Sequence, residues 1–330
     1  MRQKYDVAGI GNAIVDIIAP VDDAFLLTHN VAKGVMTLID EHRAAVLLAA
    51  LGNQHLIAGG SAANTMAGLA SLGGKGLFVG TVRDDALGRA FRQSMTATGV
   101  HYDTPAVHHG AASACCVILV TPDGHRSMNT FLGASREMTP ADIDEDAVAQ
   151  ADVLYIEGYL WDAPEAKAAI VKAMEAAKKG GAKIALTLSD PFCVGRNRGE
   201  FLELLRNDLD IVFANEEEAK MLFEVDDFDH VFQAMRPWGG IAALTRSEKG
   251  CVVAQGEDIH VIDAVPGVTV LDTTGAGDQF AAGFLYGLTH GKSLGDCGRL
   301  GAMAAAEVIA HYGARPDVSL KELARKNGLL

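Results

Sequence analysis

The residues with the clearest chemical potential lie at 272–280, which reads DTTGAGDQF. Gly275, Ala276 and Gly277 follow an extended run and open an apolar helix. The first N–H groups of a helix have no partner within it and favour an anion, and glycines allow close approach of a ligand. Asp278 would accept a hydroxyl proton while these amides stabilise a phosphoryl group, which is what phosphoryl transfer to an alcohol requires. In isolation, the same letters are also typical of a glycine turn with a helix-dipole acid.

A second candidate is ANEEEAK at 214–220, directly after a predicted strand. Asn215 and Glu218 stand three residues apart, so they could reach the water shell of a Mg²⁺ ion and nucleotide phosphates. The same spacing predicts a capping box, in which each residue satisfies the other's backbone amide. Both interpretations can hold together, because ligands of open α/β sheets bind at the carboxyl ends of strands.

The segment GIGNAIVD at 9–16 begins like a dinucleotide fingerprint but has Ile14 where the third glycine belongs. A nicotinamide dehydrogenase is therefore not indicated. Asn12 and Asp16 remain as candidates, since an acid in an apolar strand needs a partner or a ligand hydroxyl. An exposed edge position is the alternative explanation for Asp16.

The segment GGSAANTMAGLASLGG at 59–74 places Gly59, Gly60 and Asn64 at a helix start. Close approach of the backbone to a polyhydroxyl ligand would explain the glycines. A tightly packed helix of small residues explains them nearly as well. The G-x-x-x-x-G-K-[ST] motif does not occur in the sequence, which excludes a P-loop kinase at the level of motifs.

Composition limits the classes of protein. The chain has 330 residues, 49% of them hydrophobic, and a formal net charge of -14, so a nucleic-acid or anionic-membrane partner is not expected. No apolar run approaches the roughly 20 residues of a membrane span. The first seventeen residues predict a strand and not a signal peptide, because acids interrupt them. Five scattered cysteines predict a reduced, cytoplasmic protein, and the adjacent His108 and His109 predict surface positions rather than a metal site.

The pattern of elements predicts an α/β fold. From about residue 150, continuous apolar runs alternate with helical patterns, as in a parallel sheet covered on both faces. Strands are predicted at 151–158, 182–189, 209–214 and 241–245, and helices at 163–181, 201–207, 216–224, 276–290 and 296–311. Short strand candidates in the first third predict a small sheet. We expect one domain over 1–330, with a β lid interleaved from parts of about 12–40 and 100–133.

Together these segments resemble the ribokinase-like (PfkB) family of carbohydrate and nucleoside kinases. DTTGAGDQFAAGFLYGL at 272–288 is similar to the family's C-terminal signature, and 59–91, ending in VRDDALGRAF, is similar to its N-terminal one. NEEE at 215–218 matches its N-x-x-E motif. The resemblance covers essentially the whole chain in the right order, and it implies a three-layer α/β/α sandwich with a small β-sheet lid.

The resemblance also implies roles for individual residues. Asp278 would be the catalytic base, Gly275, Ala276 and Gly277 the anion hole, and Arg126 an arginine that approaches the transferring phosphate from the lid. Substrate contacts are implied for Asn12, Asp16, Gly59, Gly60, Asn64, Phe131 and Leu160. Nucleotide contacts are implied for Asn215, Glu218, Thr245, Gly250, Gly275 and Gly277.

The implied cofactors are ATP and Mg²⁺, with Glu218 acting on the metal through water. Relatives often bind a monovalent cation such as K⁺ near the segment that matches Asp272 and Thr274. LTRSEKG at 244–250 is similar to a T-x-G-x-x-G nucleotide loop but has Ser247 in place of a glycine, which puts backbone contacts there in question.

For the acceptor, GNAIVDI, LSDPF and YIEGYLWD are more similar to adenosine kinases than to ribokinases or fructokinases. Phe131, Tyr159 and Leu160 would form an apolar wall for a base. The alternatives are a sugar kinase acting on fructose, ribose or 2-keto-3-deoxygluconate, and a non-catalytic protein that binds nucleotide. The resemblance is compatible with a monomer or a homodimer.

Overall fold

A computed structural model describes residues 4–330 of the chain, so residues 1–3 of the predicted first strand lie outside the described part. Residues 4–330 form two β-sheets and twelve α-helices. The large sheet contains, in spatial order, β13 (Asp258–Ile262), β12 (Cys251–Gln255), β11 (Ile241–Thr245), β10 (Ile211–Asn215), β9 (Lys183–Thr187), β8 (Ala151–Glu157), β1 (Tyr5–Ile10) and β5 (Gly76–Val79). The small sheet contains, in order, β3 (Met36–Leu38), β7 (Arg126–Phe131), β6 (Ala114–Val120), β2 (Ile14–Pro20) and β4 (His55–Gly59).

The helices connect and cover the strands. They are α1 (Asp23–Thr28), α2 (Glu41–Ala50), α3 (Ser61–Leu72), α4 (Ala86–Ala97), α5 (Glu145–Val148), α6 (Pro164–Gly180), α7 (Pro191–Asn207), α8 (Glu216–Phe223), α9 (Phe228–Met235), α10 (Ala276–Thr289), α11 (Leu294–Val308) and α12 (Leu320–Lys326). None of the helices within residues 4–330 is both long and apolar enough to cross a membrane.

The large sheet is parallel from β5 through β11, and β12 and β13 pair antiparallel at one edge. Its inner strands are mainly apolar because both faces are covered, whereas the edge strand β13 is largely exposed. Tyr155 and Phe213 face a core formed with α3, α10, α11 and α12, whereas their neighbours Ile156 and Val212 face a core formed with α6 to α9. This alternation confirms the predicted three-layer α/β/α fold.

The small sheet packs beside the large one as the predicted lid, but it draws on more of the chain than expected. The segment 55–59 forms β4 and pairs antiparallel with β2, although it lies outside the ranges 12–40 and 100–133. β4 leads directly into α3, so the lid strand and the N-terminus of that helix form one continuous unit.

One helix is longer than predicted. The pattern at 201–207 predicts a short helix, but α7 begins at Pro191, ten residues earlier. The side chain of Asp190 caps it by accepting from the Cys193 N–H at 2.6 Å, and Pro191 is well placed in its first turn. The glycines at 195 and 199 argue against a helix, but burial of Cys193 and Phe201 outweighs their low propensity.

Candidate active site

Asp278 lies in the first turn of α10, where the N-terminal ends of two helices meet. Its carboxylate accepts from the Ser61 hydroxyl at 2.6 Å and from the Asn64 side-chain amide at 3.0 Å, and both donors belong to the first turn of α3. Burial raises the pKa of Asp278, and the two hydrogen bonds act in the opposite direction. The arrangement therefore holds a basic carboxylate in one fixed orientation.

The amides beside Asp278 differ from the expectation of three free N–H groups. The Ala276 N–H donates to the Thr273 carbonyl at 3.2 Å, because the chain makes a tight turn before α10. No partner within residues 4–330 is found for the N–H groups of Gly275 and Gly277. Gly275 has φ 79°, and a side chain there would overlap Ala314, so only glycine fits this turn. Of the three predicted amides, those of Gly275 and Gly277 are therefore left for an anion.

Asp16 lies on β2 of the lid, close to Asp278. Its carboxylate has no hydrogen-bond partner within residues 4–330. Burial raises the pKa of Asp16 to about 7, the positive charge of Arg315 lowers it, and the negative charge of Asp278 raises it further. A Cβ on Gly59 would overlap Oδ2 of Asp16, and a Cβ on Gly60 would overlap the Asn12 carbonyl oxygen. The two glycines thus make room for the lid strand, and the carboxylate is left for a ligand.

Asn12 is held by Glu157, a residue that the sequence motifs did not identify. The Asn12 side-chain amide donates to Glu157 Oε1 at 2.6 Å, and the N–H groups of Asn12 and Ala62 donate to Oε2 at 3.3 and 3.0 Å. Glu157 is only 1% exposed at the end of β8, and burial raises its pKa to about 7. It joins the end of β1 to the N-terminus of α3. An acid in an apolar strand was the available signal, the same one that identified Asp16.

Arg126, at the start of β7 in the lid, contacts the loop before α10. Its guanidinium pairs with Asp272 Oδ2 at 2.5 Å and lies 4.8 Å above the Tyr312 ring. Asp272 also accepts from the Thr274 amide and hydroxyl and from the Gly313 N–H. The Asp272 carboxylate thus contacts donors from Thr274, Gly313 and the lid arginine, and a monovalent cation near Asp272 and Thr274 stays a prediction.

Asn215 and Glu218 form the capping box at the start of α8. Asn215 Oδ1 accepts from the Glu218 N–H at 2.8 Å, while the Asn215 N–H and side-chain amide donate to Glu218 at 2.9 and 2.6 Å. Glu218 is 5% exposed, and burial, with the charge of Asp190, raises its pKa to about 7. A carboxylate and an amide oxygen at a strand end are ligands that suit hydrated Mg²⁺. The cap and a metal role are therefore compatible.

The loop 245–250 follows β11 at the same edge of the sheet. Ser247 adopts φ 50°, a left-handed conformation that glycine takes more readily, so it forms the turn despite the departure from the motif. Gly250 has φ 80°, and a side chain there would overlap the Ile262 carbonyl. Arg246 pairs with Glu216 at 3.0 Å, which ties this loop to α8.

The proposed apolar wall is not assembled as predicted. Leu160 is 1% exposed and packs in the core beneath α6 and α7, so its side chain is not available to a ligand. Its neighbour Tyr159 is 37% exposed, with its hydroxyl 3.3 Å from the Ser189 carbonyl. Phe131 is partly buried against the opposite core. Tyr159 and Phe131 are thus the members of the predicted wall that keep some exposure.

His108 and His109 are exposed, as expected.

Arg315, in the segment between α11 and α12, is a second residue that the motifs missed. Its Nε–H donates to Asn64 Oδ1 at 3.3 Å, and the charge of Arg315 acts on Asp16. Nothing in the sequence around Arg315 signals this position, because only the packing of the C-terminal helices brings it to the site.

Comparison with known proteins agrees with this arrangement. The model of the family described as pfkB family carbohydrate kinase matches residues 31–321. The chain belongs to this family. It is therefore an ATP-dependent kinase, as predicted.

Among solved structures, the chain is similar to a probable sugar kinase from Rhizobium etli CFN 42, with a TM-score of 0.92, 48% identity and 100% of both chains covered. It is equally similar to the adenosine kinase from Sinorhizobium meliloti, with a TM-score of 0.90, 49% identity, and coverage of 98% of this chain and 100% of that one. An adenosine kinase from Saccharomyces cerevisiae is 29% identical, with 92% of this chain and 94% of that protein covered. These PfkB relatives include nucleoside and sugar kinases.

Proposed function

We propose that this PfkB kinase transfers the γ-phosphoryl group of ATP to the primary hydroxyl of a nucleoside, with adenosine as the preferred acceptor and AMP as the product. The observation that carries the proposal is the pair of hydrogen bonds that fixes Asp278 beside the Gly275 and Gly277 amides. Similarity at 49% identity to an adenosine kinase supports the choice of acceptor.

In this proposal Asp278 is the general base. The acceptor hydroxyl gives its proton to the carboxylate as its oxygen attacks the γ-phosphorus, and the bond between that phosphorus and the bridging oxygen of ADP breaks. The Gly275 and Gly277 amides stabilise negative charge on the transferring group, and Arg126 adds its charge when the lid moves it from Asp272 to the phosphate. Ser61 and Asn64 keep the carboxylate aimed at the hydroxyl, so little reorganisation is needed during the reaction.

Binding and metal roles belong to the two flanking groups of residues. Asp16 accepts from hydroxyls of the acceptor, with Asn12 beside it, and Tyr159 and Phe131 contact the base. Glu218 and Asn215 hold Mg²⁺ through water, and Thr245 and Gly250 contact the nucleotide. When bound, Mg²⁺ neutralises charge on the ATP phosphates.

A sugar kinase is the second candidate. Asp16, Asn64 and Arg315 lie close together beside Asp278, and polyhydroxyl acceptors need such polar groups. The similarity at 48% identity to a probable sugar kinase supports the same alternative.

One experiment separates the two. Purified protein is assayed for Mg·ATP-dependent ADP release with adenosine, inosine, guanosine, ribose, fructose and 2-keto-3-deoxygluconate. We expect adenosine to give the highest kcat/KM. A higher value for a sugar would overturn the adenosine assignment but leave the role of Asp278 intact.

A further inference from the structure

Within residues 4–330, the hydrogen-bond partners of the Arg315 guanidinium are all uncharged. The guanidinium donates to Asn64 Oδ1 at 3.3 Å, to the Ser94 hydroxyl at 3.2 Å and to the Met95 sulfur at 3.2 Å. All three acceptors are neutral, and burial lowers the pKa of Arg315 to about 10. Burying a charge without a close counter-ion is unfavourable, so the fold maintains this arrangement against a cost.

The first consequence concerns Asn64. Its side-chain oxygen faces Arg315, and its side-chain NH₂ group faces Oδ2 of Asp278. Rotating the amide by half a turn would place NH₂ against the guanidinium and oxygen against the carboxylate, two repulsive contacts. Arg315 thereby selects the one amide orientation in which Asn64 donates to Asp278.

The second consequence concerns Asp16. The charged groups that act on it are Arg315 and Arg126, which favour the carboxylate, and Asp278, which opposes it. From the adjacent strand β6, Cys116 lies opposite Asp16 as a neutral thiol, since burial raises the pKa of Cys116 to about 12. Arg315 is the strongest of the favourable charges, so its removal would raise the pKa of Asp16 further.

We propose that Arg315 is a positioning residue that prepares both carboxylates of the site, by fixing Asn64 against Asp278 and by favouring the ionised form of Asp16 that accepts from the acceptor hydroxyls. The proposal deepens the proposed function and rests on it for the identity of the acceptor. The state of the two carboxylates, however, is measurable without any turnover.

The test uses R315Q, with R325Q as the control, because Arg325 lies on the surface of α12 in an exposed pair with Glu322. Carboxyl ¹³C resonances of Asp16 are titrated in both variants and in the wild type without substrate. We expect the pKa of Asp16 to rise by at least about one unit in R315Q alone. An unchanged Asp16 titration in folded R315Q would overturn the proposal. If R315Q does not fold, R315M, which fills similar volume without charge, is judged by the same criterion.

The kinetic readout is the pH profile of kcat/KM for adenosine. An increase of about one unit in the pKa of Asp16, from about 7, reduces the ionised fraction of Asp16 roughly fivefold at pH 7 but hardly at all at pH 9. R315Q should therefore lose activity mainly at neutral pH and regain much of it at pH 9, whereas simple damage to packing would lower kcat/KM equally at both. If the wild type turns over none of the acceptors, the proposed function fails, and the ¹³C titration still decides the role of Arg315.

Discussion

The Ser61 hydroxyl donates to Oδ1 of Asp278 at 2.6 Å, although 217 residues separate the two in the chain. This bond joins the first turn of α3 to the first turn of α10. The helix that follows the lid strand β4 thus supports the proposed base directly, so a movement of the lid unit would displace the Asp278 carboxylate. The position of the lid and the orientation of this carboxylate are coupled through one hydrogen bond.

Replacing Asp278 by Asn should lower kcat by at least ~10²-fold, because a positioned base is lost while the shape of the side chain is kept. Steady-state assays with the best acceptor measure the effect. The matched control is D296N, since Asp296 occupies the equivalent place in the first turn of α11 and is held by the Ser293 cap. Near-wild-type turnover of D278N would refute the base assignment.

The Arg126–Asp272 pair should stabilise the fold by joining the lid to the loop before α10. Both side chains are largely buried, so D272N leaves a guanidinium without its counter-ion and should lower the free energy of unfolding by about 3 kcal/mol. Urea denaturation measures this change. E322Q, which breaks an exposed pair with Arg325, should change it by less than about 1 kcal/mol. Equal effects in the two variants would contradict the prediction.

Glu157 should make stability fall as pH rises. Burial raises its pKa in the folded protein from 4.5 to about 7, so the folded state binds the proton more tightly than the unfolded state does. The contribution of protonated Glu157 to the free energy of unfolding is complete below about pH 4.5 and is lost as pH rises to about 7. The free energy of unfolding of wild type relative to E157Q should thus decrease by up to ~3 kcal/mol over this window.

Urea titrations at several pH values measure that difference for Glu157. E175Q, at an exposed position of α6, serves as the control and should produce no such slope. A difference between wild type and E157Q that stays constant from pH 5 to pH 8 would show that Glu157 is ionised throughout, contrary to the prediction.

Gly59 should be required for the position of Asp16. A methyl group there would overlap the carboxylate, so G59A should lower kcat/KM roughly 10- to 100-fold through misplacement of the group that holds the acceptor. Gly52, in the same connection of the lid, faces open space, so G52A is the matched control with unchanged kinetics. Similar kcat/KM values for the two variants would argue against an acceptor role for Asp16.

The sequence predicts the layers of this fold well because the signal is local. Continuous apolar strands between capped helices predict the parallel sheet, and the glycine-rich turn before Asp278 can be recognised from the sequence of that turn alone. The start of α7 was missed because burial of Cys193 and Phe201 overrides two glycines. Helix propensity alone does not include the stabilisation by contacts that form only in the folded core.

The site is less predictable than the fold for a related reason. Leu160 was assigned to a ligand wall, but its direction depends on how the short turn after β8 packs under α6. Arg315 carries no motif, and its bond to Asn64 spans 251 residues. Glu157 could have been found, since an acid in an otherwise apolar strand requires partners.

The distance in sequence between Ser61 and Asp278 has a consequence for biosynthesis. A ribosome makes α3, with Ser61 and Asn64, long before it makes α10 with Asp278, and Arg315 later still, so a nascent chain holds the partners of the base before it holds the base itself. Partly synthesised chains therefore carry the lid without a catalytic centre. The proposed catalytic centre therefore forms only when α10 docks onto α3.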